Sequence, residues 1–169
     1  DRYIVGSLME EAITSSQLEG AATTRKDAKD MLQRQRKPKD RGEHMIVNNY
    51  QAMQFIRASK DQPLAPEMIL TLQEILTKDT LDESGAVGRW RRPDEDVTVV
   101  DHRNSETVHI PPHADEIPER MARLCDFANS APDEPFIHPV VRAILLHFMM
   151  GYDHPFVDGN GRTARALFY

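Results

Sequence analysis

The chain has 169 residues, among them 21 lysines and arginines, 27 aspartates and glutamates, and a single cysteine. The net charge of −6 disfavours binding to nucleic acid through charge alone, and one cysteine excludes an internal disulfide or a multi-cysteine zinc site. The longest apolar run, 143–152, is far shorter than the roughly 20 residues that span a bilayer. We therefore expect a globular, soluble, cytoplasmic domain without a membrane partner.

Helical periodicity dominates the first half of the chain. The apolar spacing predicts helices at about 7–20, 25–36, 46–58 and 66–76. Gly20 is a natural stop for the first helix, and Thr24 with Asp27 resembles a capping box at the start of the second. Pro66 suits the first turn of the fourth helix, because its missing N–H has no partner there in any case.

The second half begins with an irregular stretch, 80–93, in which Arg89, Arg91 and Arg92 surround Trp90. We interpret this group as a packed tryptophan with arginines at the surface, since four residues are too few to support a nucleic-acid site. Two short β-branched runs then predict a hairpin with a six-residue polar loop. The predicted strand residues are Val97, Thr98, Val99, Val100, Thr107, Val108, His109 and Ile110. Helices are expected again at 117–128 and 139–152, so the fold class is mostly α with one hairpin.

A glycine-rich turn follows the last of these helices. Gly159 and Gly161 flank Asn160, which lets the backbone turn tightly and approach a ligand closely. The first amides of the helix that starts here have no partner within it, and its dipole is positive at this end, so the turn favours an anion. Arg162 and Arg165, three positions apart, add two guanidiniums that suit a polyphosphate.

Two further side chains in this turn carry chemistry. Asp158 precedes the glycines, and Mg²⁺ in proteins usually takes one or two carboxylates together with phosphate oxygens. His154 is a titratable group that can accept a proton near neutral pH. A base, a metal carboxylate and a phosphate site within twelve residues indicate transfer from a nucleoside polyphosphate to a hydroxyl.

The stretch from His154 to Arg165 matches the H-P-F-x-D-G-N-G-R-x-x-R signature and resembles the Fic family over about 64–169. The resemblance implies a helical bundle with a hairpin "flap" beside the active-site loop, and transfer of AMP from ATP to a Ser, Thr or Tyr hydroxyl of a target protein. By this resemblance His154 is the base, Asp158 holds Mg²⁺, and an extended target segment docks on the flap. The phosphates are bound by Gly159, Asn160, Gly161, Arg162 and Arg165, with the γ-phosphate at Arg165.

A second resemblance lies in the first predicted helix. Ser15, Glu19 and Gly20 match the family's inhibitory motif [ST]-x-x-x-E-[GN]. The resemblance implies that Glu19 competes with the γ-phosphate for Arg165, so that the enzyme is autoinhibited by its own N-terminal part.

These patterns divide the chain into an N-terminal helical region, 1–60, and a Fic core, 61–169, with the flap at 97–110. We expect the natural chain to continue beyond Tyr169, because the sequence ends in an uncapped apolar helix. Three alternatives stay open: removal of AMP, use of another phosphate-containing donor, and a silent nucleotide- or partner-binding module. A homodimer is compatible with the sequence, and nucleic acid as a partner is not supported.

Overall fold

The computed structural model describes residues 2–82, 84–101, 103–130 and 136–168. Seven α-helices occur in these residues: α1 Arg2–Leu18, α2 Arg25–Arg34, α3 Arg41–Ser59, α4 Pro66–Thr77, α5 Ile117–Asn129, α6 Pro139–Asp153 and α7 Asn160–Leu167. Strands β1, Val99–Asp101, and β2, Glu106–His109, form one antiparallel hairpin between α4 and α5. The mostly α prediction with a single hairpin is thus confirmed. None of the described helices is both long enough and apolar enough to cross a membrane.

Helix starts follow the capping residues. The Thr24 hydroxyl accepts a hydrogen bond from the Asp27 amide, as the capping box predicts, and Pro66 is the first residue of α4. Helix α3 begins five residues earlier than predicted, because Asp40 caps it by accepting from the Glu43 amide at 2.9 Å. The prediction from apolar periodicity missed this first turn, because its residues are polar.

Helix α1 also differs from its predicted bounds of 7–20. It begins at Arg2 and ends at Leu18, so that Glu19 and Gly20 lie in the turn that follows. Gly20 has φ 91°, a left-handed conformation that glycine adopts without strain. Ser15 is therefore helical whereas Glu19 is not.

A buried polar contact fixes the end of α1 against α3. The Asn49 amide donates to the Ser16 hydroxyl at 2.6 Å, and this hydroxyl donates to the Ala12 carbonyl at 2.7 Å. Both side chains are almost completely buried. Since each donor has an acceptor, the contact satisfies groups that would be costly to bury alone.

The core holds the glycine-rich loop in place. Phe156, fully buried, belongs to a cluster contributed mainly by α4, α5, α6 and α7. Trp90 stacks on Phe156 with ring centroids 5.1 Å apart, which confirms it as a packed tryptophan. The loop between α6 and α7 is thus anchored by an aromatic pair rather than lying free on the surface.

The hairpin is shifted relative to its prediction. Val97 and Thr98 precede β1 and Ile110 follows β2, while the polar Asp101 and Glu106 pair with each other. The loop shortens because the Asp101 side chain accepts from the Arg103 amide, the Asn104 side chain accepts from the Glu106 amide, and Ser105 adopts φ 58°. Asp101 and Glu106 were not predicted as strand residues because they are polar. They can nevertheless pair, because the ladder is formed by backbone atoms.

A β-bulge interrupts the ladder. Val99 pairs with His109 and Val100 pairs with Thr107, which leaves Val108 as the extra residue on β2. Its side chain is exposed.

Candidate active site

His154 lies at the junction of α6 and the glycine-rich loop. It caps α6 in a left-handed conformation, φ 45° and ψ 56°, and its amide donates to the Met150 carbonyl at 3.1 Å. The ring nitrogen Nδ1 is 3.2 Å from the Gly151 carbonyl oxygen. Because a carbonyl only accepts, this contact assigns the proton to Nδ1 and leaves Nε2 as the basic nitrogen.

The surroundings of His154 favour its neutral form. Burial lowers the pKa of the imidazole below its usual value, and the positive charges of Arg91 and His109 act in the same direction. The Gly151 carbonyl and the Asp158 carboxylate act the opposite way, but the net shift is downward. At neutral pH the ring is therefore able to accept a proton.

Asn160 closes the loop between α6 and α7. Its amide side chain accepts from the Phe156 N–H at 2.9 Å and donates to the Phe156 carbonyl at 2.8 Å. Its side chain is thus used within the protein, and the part suited to an anion is its backbone amide at the start of α7. Gly159 has φ 87°, and a Cβ there would lie 2.7 Å from Cγ2 of Thr77. Only glycine fits both constraints.

Asp158 stands at the edge of the loop with its side chain 43% exposed. Its Oδ1 accepts from the Gly159 amide at 2.5 Å, and its Oδ2 is 3.3 Å from Nη2 of Arg162. No cluster of three metal-ligating side chains is found in the residues described here. One half-exposed carboxylate nevertheless fits Mg²⁺, because nucleotide phosphates and water usually supply its other ligands.

The guanidinium of Arg162 is buried against the end of α4. It donates to the Leu76 carbonyl at 2.9 Å and to the Thr80 hydroxyl at 3.1 Å, besides its contact with Asp158. Arg165 instead contacts the end of α1. The two arginines therefore have different partners, and their joint use for phosphates stays a prediction.

Arg165 joins the two distant motifs. Its Nε donates to the Ser15 hydroxyl at 2.8 Å, and Nη2 binds the Glu19 carboxylate. The arginine and glutamate side chains are 25% and 32% exposed. The residues of the inhibitory motif and of the signature thus meet across 146 positions of sequence.

Glu19 also lies over the first turn of α7. A Cβ built on Gly161 would be 3.0 Å from Oε1 of Glu19 and 3.4 Å from Nη1 of Arg165. A carboxylate thus lies beside the helix N-terminus, where the dipole favours negative charge. A phosphate at the same place would have to displace it.

The hairpin is attached to the end of α6, close to His154. Nε2 of His109 lies 2.7 Å from the Tyr152 carbonyl oxygen, and the two rings are 4.6 Å apart. Tyr152 precedes His154 by two positions. His109 therefore anchors the flap to the end of α6, while its neighbours Val108 and Ile110 are exposed.

Two buried side chains that bind the loop were missed from the sequence. Arg91 was expected at the surface but is buried, and its Nε donates to the His154 carbonyl at 2.9 Å. Gln73 is also buried; its amide donates to the Asp158 carbonyl at 3.2 Å and accepts from the Gly88 amide at 2.7 Å. Gln73 could have been identified from the sequence, because it is a polar residue on the apolar face of α4.

Comparison with known proteins identifies the family. The sequence model of the Fic/DOC family matches residues 63–169. A protein adenylyltransferase Fic from Drosophila willistoni is 36% identical over 118 residues, and one from Nematostella vectensis is 42% identical over 59 residues. These matches cover 69% and 35% of this chain, but it spans only 21% and 14% of the relatives.

Solved structures agree with the sequence matches. A Fic domain containing signaling protein from Bacteroides thetaiotaomicron superposes with a TM-score of 0.83 and 25% identity, covering 99% of this chain and 62% of the other. A Fic family protein from Desulfovibrio desulfuricans has a TM-score of 0.74 at 24% identity over 99% of this chain and 48% of its own. With the signature loop, the hairpin and the helices in their expected arrangement, the chain belongs to the Fic/DOC family.

Proposed function

We propose that this chain transfers AMP from ATP to a Ser, Thr or Tyr hydroxyl of a target protein, and that Glu19 inhibits the transfer. Support comes from one observation above all: a single loop brings together the basic nitrogen of His154, the carboxylate of Asp158 and the amino terminus of α7. The name protein adenylyltransferase Fic, carried by relatives at 36% identity, supports the same reaction.

The proposed step is a displacement at the α-phosphorus. The target hydroxyl oxygen forms a bond to this phosphorus as the bond to the oxygen bridging the α- and β-phosphates breaks, and pyrophosphate leaves. The hydroxyl proton passes to Nε2 of His154. The first amides of α7 stabilise the negative charge on the phosphates, since they have no partner within the helix.

Asp158 would hold Mg²⁺ against the nucleotide. The ion, when bound, neutralises charge on the phosphates. The contact of Oδ1 with the Gly159 amide orients the carboxylate, and its exposure leaves it accessible to a cation.

The inhibition would act through Arg165. A guanidinium that binds Glu19 and Ser15 in the free protein is not available in the same geometry to a terminal phosphate. ATP then binds without the Arg165 contact, and its α-phosphate is misaligned for attack. A misplacement of about 1 Å can lower the rate about 10²-fold.

The transferred group is tested with two labels. The Glu19→Gly chain, in which inhibition is relieved, is incubated with MgCl₂, host lysate and ATP labelled at either the α- or the γ-phosphate. We expect protein-bound label from the α-phosphate only, and release of pyrophosphate. Label from the γ-phosphate would instead indicate phosphate transfer, and tight ATP binding without either label would indicate a binding module.

Docking of the target on the flap predicts a separate effect. Val108→Pro removes the backbone donor of the exposed bulge residue, so it should lower labelling of the target protein at least tenfold while self-labelling and ATP binding change little. Val108→Ala, which keeps the N–H and removes only side-chain atoms, is the matched control. Equal target labelling by Val108→Pro and the unmodified chain, measured by autoradiography, would place docking elsewhere.

A further inference from the structure

Arg91 is a buried cation without a carboxylate partner in the part of the chain that the structure describes. Its side chain donates from Nε to the His154 carbonyl at 2.9 Å and from Nη2 to the Pro112 carbonyl. Its backbone N–H donates to the Pro155 carbonyl at 2.8 Å. Only 7% of the residue is exposed, and burial lowers its pKa.

Such an arrangement is unfavourable for stability alone. A charge removed from water is costly unless an opposite charge compensates it, and an apolar residue of similar volume is often at least as stable. The three carbonyls that bind Arg91 instead belong to two functional segments. His154 and Pro155 open the catalytic loop, and Pro112 follows the hairpin by three positions after His109.

The neighbours of Arg91 hold the same loop. Trp90 stacks on Phe156, and the Gly88 amide donates to Gln73, whose side chain binds the Asp158 carbonyl. Residues 88–91 therefore form a strap, which contacts the loop at His154, Pro155 and Phe156 and is linked to Asp158 through Gln73. Arg91 also binds the Pro112 carbonyl, in the segment that follows the hairpin.

The geometry points to Arg91 as a positioning residue that fixes the base His154 relative to the target strand on the flap. This inference rests on the proposed function. Its role is positioning rather than catalysis, because its rigid fork is occupied by carbonyls of the loop and of the segment leaving the hairpin. A displacement of about 1 Å between base and hydroxyl is sufficient to lower turnover about 10²-fold.

The charge of Arg91 gives a second observable. It lowers the pKa of His154, as do burial and His109, while Asp158 raises it. Without the guanidinium the imidazole pKa should rise, so a larger fraction of the base is protonated at a given pH. The acidic limb of the rate profile should then move to higher pH.

The test uses three variants in the Glu19→Gly chain: Arg91→Gln, Arg91→Lys and, as the control, Arg92→Gln. Arg92 is the exposed next residue, so its substitution removes the same charge without touching the loop. We expect kcat for AMP transfer to fall about 10²-fold in Arg91→Gln with KM for ATP within threefold, and no change in Arg92→Gln. Arg91→Lys keeps the positive charge, so the acidic limb of the pH–rate profile should stay in place. It should not restore kcat, because one ammonium group cannot reproduce the two-carbonyl contact of the guanidinium.

Equal kcat in Arg91→Gln and Arg92→Gln would overturn the inference, as would a fall in kcat that lysine fully restores. If Arg91→Gln fails to fold, the inference is tested with Arg91→Lys alone. A lowered kcat together with an unchanged acidic limb of the pH–rate profile would support it. An NMR titration of the His154 ring, assigned with His154→Asn, separates this inference from the proposed reaction. A pKa raised in Arg91→Gln but not in Arg92→Gln supports the contact even if the parent chain transfers no AMP, whereas an unchanged pKa counts against it.

Discussion

Replacing Glu19 by glycine should raise the rate of AMP incorporation about 10²-fold. The substitution removes the carboxylate that binds Arg165 and lies against the first turn of α7, so the guanidinium becomes available to the terminal phosphate. An ion pair as exposed as this one contributes only about 0–1 kcal/mol, so the variant should remain folded. The measurement is incorporation of label from α-labelled ATP at equal protein and Mg·ATP concentrations.

The controls separate charge, bulk and backbone freedom. Glu19→Gln keeps most of the bulk and should activate less than Glu19→Gly, while Glu19→Ala excludes an effect of glycine flexibility. Glu11→Ala removes a carboxylate from α1, the helix that ends just before Glu19, and we expect no activation from it. Equal rates for the unmodified chain and Glu19→Gly would leave the Arg165 contact as a structural ion pair without inhibitory effect.

Replacing His154 should abolish transfer but leave nucleotide binding nearly unchanged. Loss of a general base typically lowers the rate about 10²–10⁴-fold, and the imidazole acts on the hydroxyl rather than on ATP. The position has φ 45°, where alanine is strained but asparagine is tolerated. His154→Asn is therefore the variant that removes the base with the least disturbance of the loop.

The His154→Asn variant is best measured in the Glu19→Gly background. Turnover follows from label incorporation, and the Kd of Mg·ATP follows from calorimetry. We expect relief of inhibition to disappear in the double variant, because a free Arg165 cannot replace a base. A rate above a tenth of the Glu19→Gly rate at saturating substrate would contradict the assignment of His154.

The catalytic loop was predictable because its residues are contiguous. Twelve positions from His154 to Arg165 contain the whole signature, and proline and glycine restrict the backbone there in ways that do not depend on distant contacts. The hairpin was predicted from β-branched runs, but its ends were not, since Asp101 and Glu106 pair through backbone atoms alone.

The partners of the loop were harder to predict. Arg91 was expected at the surface, because a run of arginines beside a tryptophan gives no indication of burial. Its position depends on carbonyls 21 and 63 residues away. The meeting of Glu19 with Arg165 was expected only from the resemblance to an inhibitory motif, and no periodicity in either helix indicates it.

The polar contact between Ser16 and Asn49 bears on how the proposed inhibition would be relieved. A shift of α1 along α3 by one residue would separate the Asn49 amide from the Ser16 hydroxyl and leave this buried donor unsatisfied, at a cost of about 1–3 kcal/mol. Apolar contacts tolerate small sliding motions, whereas a buried hydrogen bond selects one register. The end of α1 is therefore restricted to discrete positions, and release of Glu19 from Arg165 by a shift of this helix should be all-or-none in each molecule rather than graded.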